Sequence, residues 1–194
     1  MRKLKRILVV AFAFPLLFAC NNKSLKLDQD NIKIEWVAYK TTDKVPVAGT
    51  FKQVKLENLQ EGLTAEEVLN GATFSIPVSS LFSDNADRDT KLKQLFFGMM
   101  KNTELISGKF MYAEKDSKLA VTMNGVTREI PVQTVSVNNT FKLKGTLHLS
   151  EFEAQEAMDS LNKACYDLHM GADGISKTWE EVAIEGVFSF KQPK

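Results

Sequence analysis

The chain has 194 residues, of which 44% are apolar and 25% charged, and its 25 Lys and Arg nearly balance 24 Asp and Glu. No basic stripe stands out, which excludes the electrostatic footprint of a nucleic-acid-binding protein, because neutralising phosphates takes clustered Lys and Arg. The length suits one domain with a sizeable core, and no Pro/Gly/Ser-rich linker, internal repeat or low-complexity tract divides it.

Four of the basic residues sit in the first six positions, and an apolar run from Ile7 to Phe18 follows, broken only by Pro15. The run is shorter than the about 20 apolar residues that a bilayer-crossing helix needs. Leu17-Phe18-Ala19-Cys20 then places a small residue directly before a cysteine and resembles the lipobox of bacterial lipoproteins. Residues 1–19 are therefore expected to be a signal peptide, with Cys20 acylated as the first mature residue and holding the protein to a membrane of the cell envelope. An ordinary secretory peptide ending near a cysteine is the alternative. Without the leader, 21 basic residues face 24 acidic ones, a net charge of −3. Lipidation of Cys20 would leave Cys165 no partner for an intramolecular disulfide. Residues 20–30 read as a polar tether and residues 31–194 as the domain. Asn21-Asn22-Lys23 lacks the acidic run that would suggest surface display, so a periplasmic facing is expected.

Strand signals begin at Ile32, with apolar residues on the even positions through Trp36 and Ala38. Val47, Gly49 and Phe51 alternate on odd positions, then Val54 and Leu56 on even ones; a β-bulge near Lys52 and Gln53 would switch the parity. Ala72, Phe74, Ile76 and Val78 mark a third strand, and Ile106, Phe110 and Tyr112 a fourth. A meander follows: Leu119, Val121 and Met123 turn at Asn124-Gly125 into Val126 to Val137, then at Asn138-Asn139 into Phe141, Leu143, Leu147 and Leu149. Asn-Gly between alternating runs signals a type I′ hairpin, because both residues tolerate positive φ. Val182, Ile184, Phe188 and Phe190 end the series. About eight strands result, enough for an antiparallel, mainly β, lipocalin-like barrel with a few helices in its connections.

Three helices are predicted between the strands. Thr64 with Glu67 and Ser150 with Glu153 both have capping-box spacing. The second would start a long helix with Ala154, Ala157, Met158, Leu161, Ala164, Cys165 and Leu168 on one face against the barrel, ended by Gly171. Between them, Asp87 or Asp89 would cap a helix whose apolar side is Leu92, Leu95, Phe96 and Met99.

Gly49, Gly108, Gly145 and Gly186 each share the parity of their strand's apolar residues, so their missing side chains face the barrel interior. One reading is steric, since strongly coiled strands need glycine. The other is a cavity, because an eight-stranded barrel is just wide enough to be filled by its own side chains or to hold one slender ligand. Trp36, Phe51, Phe74, Ile76, Phe110 and Val121 would line it with Met123, Phe141, Leu147, Ile184 and Phe188. That lining has almost no hydrogen-bonding groups, so a ligand inside would be a hydrocarbon chain.

The segment Leu119-Ala120-Val121-Thr122-Met123-Asn124-Gly125-Val126-Thr127, continuing to Pro131-Val132, resembles the strand, Gly-Val-Thr turn and strand of the YceI-like lipid-binding proteins. Arg88-Asp89 ahead of Phe96-Phe97 is similar to that family's Arg-Asp segment before paired phenylalanines. Gly49-Thr50-Phe51 and Trp36-Val37-Ala38-Tyr39-Lys40 are weaker matches, and all run in the family's order from Trp36 to Phe190. The resemblance implies a lipocalin-like barrel that binds polyisoprenoids or similarly long apolar, quinone-like molecules. This chain departs from the pattern at Leu95, where the family has an acidic residue, and at Gly98-Met99-Met100-Lys101, where it has Tyr-Pro. It also lacks a His-rich first strand and carries an extra helix after Ser150. The departures around Phe96-Phe97 are expected to change the mouth of the barrel.

Catalysis finds little support. His148 alternates with Lys142, Lys144 and Thr146 on an outward face, and His169 at a helix end has no evident partner. Cys165 on an apolar helix face reads as an inert thiol. Asp84, Asp87 and Asp89 lack the central Gly and terminal Glu of a calcium loop and read as helix caps, so neither a metal nor a cofactor is expected. Two functions remain: a non-catalytic carrier of a long apolar chain, with Arg88, Lys91 or Lys93 near the mouth to meet a polar or phosphate head, and an envelope scaffold whose barrel is filled by its own side chains. Oligomeric state is not legible.

Overall fold

A computed structural model describes residues 24–191, so the predicted leader and Cys20 lie outside the described residues. β1 (Lys26–Lys40) is the longest strand and pairs on one side with β10 (Glu181–Lys191) and on the other with β2 (Val45–Phe51). Its first five residues, 26–30, belong to the expected tether. Leu27 pairs with Phe190 but Ile32 with Phe188, so the strand bulges between them and the alternation that marks a strand is lost there. The bulge turns Asp28 inward to 6% exposure, where its carboxylate accepts from Lys191 Nζ at 2.7 Å and Asn31 Nδ2 at 2.6 Å.

β3 (Lys55–Glu57), β4 (Thr73–Pro77), β5 (Leu81–Phe82), β6 (Leu105–Met111), β7 (Lys118–Met123), β8 (Val126–Val137) and β9 (Thr140–His148) complete an antiparallel sheet ordered β3-β4-β6-β7-β8-β9-β10-β1-β2-β5. Its ten strands exceed the expected eight because two are interrupted. β2 and β3 are separated at the predicted parity switch, and β4 and β5 by a 3₁₀ turn at Val78–Ser80. These interrupted strands form the seam that curls the sheet into a barrel: β2 pairs with β5, β3 pairs with β4, and between the two ladders Lys52 N donates to Ser80 O at 3.0 Å. The Asn124-Gly125 turn forms as predicted, with φ of 54° and 73°.

Helices close the ends. α1 (Ala65–Leu69) has the predicted Thr64/Glu67 capping box and buries Ala65, Val68 and Leu69 against the end where β1 begins. α2 (Ala86–Lys91) is capped by Asn85 rather than Asp87 or Asp89; the Asp89 carboxylate instead accepts from Ser83 N and Oγ. The chain continues through a wide π-type turn at Leu92–Phe96, which rotates the apolar face. Phe96 and Phe97 are therefore both buried, edge to face at 5.0 Å, while Met99 is exposed. α3 (Gln155–Ala164) packs on that turn. The Ser150 capping box does not form: Leu149–Phe152 makes a 3₁₀ turn, Glu153 is left-handed, and Asn124 Nδ2 donates to the carbonyls of Phe152 and Glu153. Nor does Gly171 end the helix, which stops at Ala164 and leaves Leu168 exposed.

Candidate functional site

The barrel interior holds two apolar spaces. The inner one, about 90 Å³, lies among Phe51, Phe74, Ile76, Phe110, Val121, Leu147, Ile184, Gly186 and Phe188. The upper one, about 110 Å³, shares Trp36, Phe51, Ile106, Leu147 and Ile184 with it and adds Met123. Its roof is Leu92, Phe96 and Phe97 from the segment after α2, Leu161 from α3, and Trp179. A third space of about 330 Å³ forms the mouth, sharing Trp36, Ala38, Leu92, Leu161 and Thr178 with the upper cavity and adding Lys40, Asp87, Arg88, Lys91 and His169. Trp36 lines all three. Its indole N–H is buried without a hydrogen-bond partner among the described residues, at 7% residue exposure.

Of the four glycines, Gly186 borders the inner cavity, whereas Gly49, Gly108 and Gly145 do not form the lining that their parity suggested. A Cβ on Gly49 would lie 2.6 Å from Trp36 Cε2, one on Gly108 2.7 Å from Phe74 Cε1, and one on Gly186 2.8 Å from Phe188 Cε2. Gly145 is covered by Val132 Cγ1 at 3.0 Å and Ile130. Aromatic rings fold over inward glycines because a strand without a side chain leaves a flat surface for a ring from its neighbour. Gly49, Gly108 and Gly145 therefore support the walls, as does Phe141, which is buried and packs on Phe188 at 6.1 Å between centroids. The cavities lie where these rings stop. The other predicted lining residues all face one or both cavities.

A family profile described as a YceI-like domain matches residues 25–190. The chain belongs to the YceI-like family. No curated protein matches it. Among solved structures, it is similar to a polyisoprenoid binding domain from Saccharophagus degradans (11% identity, TM-score 0.63, 88% of this chain and 99% of that one). It is also similar to BcnA of Burkholderia cenocepacia (16% identity, TM-score 0.55, 84% and 98%) and to a YceI protein of Campylobacter jejuni (19% identity, TM-score 0.50, 76% and 85%). At these identities the likeness shows the fold.

The mouth of this YceI-like barrel is built differently from the sequence expectation. Of the three basic candidates, Lys91 lines it with no partner among the described residues, and Arg88 lines it while its Nε and Nη2 donate to Ser83 Oγ (2.9 Å) and Ser83 O (3.2 Å). Lys93 does not: it borders a separate surface hollow with Pro77, Ser79 and Glu104. Lys40 and His169 were missed. Lys40 ends the strand segment that matches the family, but nothing in that match marks its side chain as part of the mouth; His169 falls in a 3₁₀ turn after α3, where its Nδ1 lies 2.8 Å from Thr178 Oγ1 and 3.3 Å from Asn162 Oδ1. Because Thr178 Oγ1 already donates to Asn162 Oδ1, Nδ1–H is the donor in the His169 contact. Burial, then the positive charges of Lys40 and Lys91, push the His169 pKa down and favour the neutral ring.

Proposed function

We propose that this protein binds and carries a long apolar chain, of polyisoprenoid or quinone type, inside its barrel, without catalysing a reaction, while anchored to a bacterial envelope membrane through an acylated Cys20. The observation that carries this reading is the run of three adjoining spaces from the mouth inward. Two are walled by apolar side chains, as a hydrocarbon chain requires. The polyisoprenoid-binding relative from Saccharophagus degradans, which has the same fold, supports a ligand of that class. Neither histidine suggests an acid–base pair: His148 sits on the outer face of β9, and His169 is held by Thr178 and Asn162.

Rings and aliphatic side chains over the four glycines favour a second reading, a ligand-free envelope scaffold with a largely filled barrel. Native mass spectrometry with organic extraction separates the two. A co-purifying hydrocarbon chain is expected, depleted in Leu147→Phe or Ile184→Phe, since both residues wall both cavities. An apo mass that stays unchanged after incubation with polyprenols and quinones would overturn the carrier reading and leave the scaffold.

A further inference from the structure

Charge at the mouth is unbalanced where it is partly buried: the strand cations Lys26, Lys109, Lys142 and Arg128 also lack an ion pair among the described residues, but they are exposed. Lys33, Lys44, Lys55, Lys118, Lys144 and Lys191 each have a carboxylate within ion-pair distance, whereas Lys40, Arg88 and Lys91 have none among the described residues. All three are half-buried and line the same 330 Å³ space. Among the described residues, Asp87 is the one acidic side chain that lines this space, and it is exposed, while Asp89 faces Arg88 across Ser83 Oγ, which accepts from Arg88 Nε at 2.9 Å and donates to Asp89 Oδ1. With His169 neutral and Arg88 facing Asp89, the half-buried charges left without a counter-charge are those of Lys40 and Lys91. Holding cations in a partly desolvated site without a counter-charge is unfavourable, and an anion placed among them relieves it.

We propose that the mouth binds a phosphate-type head group between Lys40 and Lys91, with its isoprenoid chain running inward past Trp36. The excess of two positive charges matches a phosphate monoester, which carries about −1.5 to −2 at neutral pH, better than a monoanionic carboxylate or an uncharged hydroxyl. Arg88, committed to Ser83, adds field more than contact. Lysine suits this role as a mobile point charge on phosphate. The proposal rests on the barrel holding an apolar chain and adds which head that chain bears.

Both tryptophans of the chain, Trp36 and Trp179, wall the upper cavity, so intrinsic fluorescence of the full-length protein reports occupancy directly. Farnesyl phosphate, farnesol, farnesoate and inorganic phosphate are titrated at low ionic strength. Farnesyl phosphate is expected to bind at least tenfold more tightly than farnesol and farnesoate. Lys40→Gln/Lys91→Gln should lose that margin while binding farnesol as the native protein does, and Lys93→Gln should keep it. Lys91→Gln alone is the variant read if the double variant no longer binds farnesol. Equal binding of the three farnesyl compounds, or a margin that survives Lys91→Gln and the double variant, would overturn the phosphate head and leave the apolar cavity standing. Inorganic phosphate displacing farnesyl phosphate at matching concentration would mark a free-anion site only and also overturn it. Failure of every farnesyl compound to bind the native protein would instead remove the carrier reading, and the head group with it.

Discussion

The indole of Trp36 lies flat over Gly49 of the neighbouring strand, where β1 and β2 pair residue against residue. The ring also walls every cavity from the mouth inward, so the glycine sets the position of the channel's central side chain. Gly49→Ala would place a methyl group 2.6 Å from Cε2 and force either the ring or β2 to move. A loss of about 1–3 kcal/mol is expected from overpacking, measured by chemical denaturation, together with a shift in Trp36 fluorescence. An alanine variant as stable as the native protein would show that the ring has room to yield.

Asn124 joins three parts of the molecule through one side chain. Its Oδ1 accepts from Lys101 N at 2.7 Å, and its Nδ2 donates to Phe152 O and Glu153 O at 2.9 and 3.0 Å, while its own backbone is left-handed. Asn124→Ala removes the three bonds and places an unfavourable residue at positive φ. The expected loss is about 4–5 kcal/mol, from roughly 1 kcal/mol for each of the three hydrogen bonds plus a left-handed penalty of roughly 1–2 kcal/mol. Asn124→Gly should recover the backbone part alone, and a calorimetric comparison of the two variants separates the contributions.

The same residue shows how far the sequence could be read. Asn124-Gly125 marked its hairpin because turn chemistry is local, and the parity switch near Lys52 marked the break between β2 and β3 for the same reason. The Asn124 side-chain bonds to Phe152 and Glu153 join residues 28 and 29 positions apart, and no pattern around Ser150 announces that its capping box will give way to them. Cavity residues were legible where alternation set them inward. Which inward positions hold empty space depends on where the rings of Trp36, Phe74 and Phe188 lie, and that is a packing outcome. Lys40 and His169 escaped because the mouth is assembled from a strand end, a helix and the turn after α3, elements with no common sequence signature.

Asp28 gives the fold an acid-sensitive point. Hydrogen bonds from Lys191 and then Asn31 hold its carboxyl below the usual carboxylate range. Because the folded value lies below the unfolded one, the stabilisation is present above the ordinary carboxylate pKa and is lost as pH falls through it towards the folded value. Thermal unfolding followed from pH 6 to pH 2 should show a steeper acid decline in the native protein than in Asp28→Asn. Parallel curves would mean that the bulge in β1 does not depend on the charge.

His169 titrates in a different window, and its neighbours make it a reporter of the mouth. Burial and the charges of Lys40 and Lys91 depress it, so it should remain neutral at a pH where an exposed histidine is half protonated, about 6.5. Its contribution to stability is present above that pH and falls as the solution is acidified below it. The NMR titration midpoint of His169 should rise in Lys40→Gln and in Lys91→Gln, because each removes one of the repelling charges. A midpoint insensitive to both substitutions would show that burial alone sets it.

The proposed anchoring through Cys20 has a geometric consequence as well as a fractionation test. Cys20→Ser should move the protein from the membrane fraction to the soluble one, and persistence in the membrane would remove the proposed anchor. The described chain enters β1 at Lys26, at the end closed by α1, and reaches the mouth at Lys40 after a strand of 15 residues, about 40–50 Å of extended chain. Six residues from Cys20 to Leu25 extend at most about 20 Å. An acyl anchor at Cys20 would thus hold the α1 end near its bilayer without giving the mouth the reach to lie on the same surface. A fluorophore on Leu168→Cys, which is 59% exposed beside the mouth, should escape quenching by brominated lipids of the anchoring membrane, whereas one on Leu63→Cys beside α1 should be quenched. Strong quenching at Leu168→Cys would instead place the mouth on the bilayer and assign the loading of ligand to that membrane.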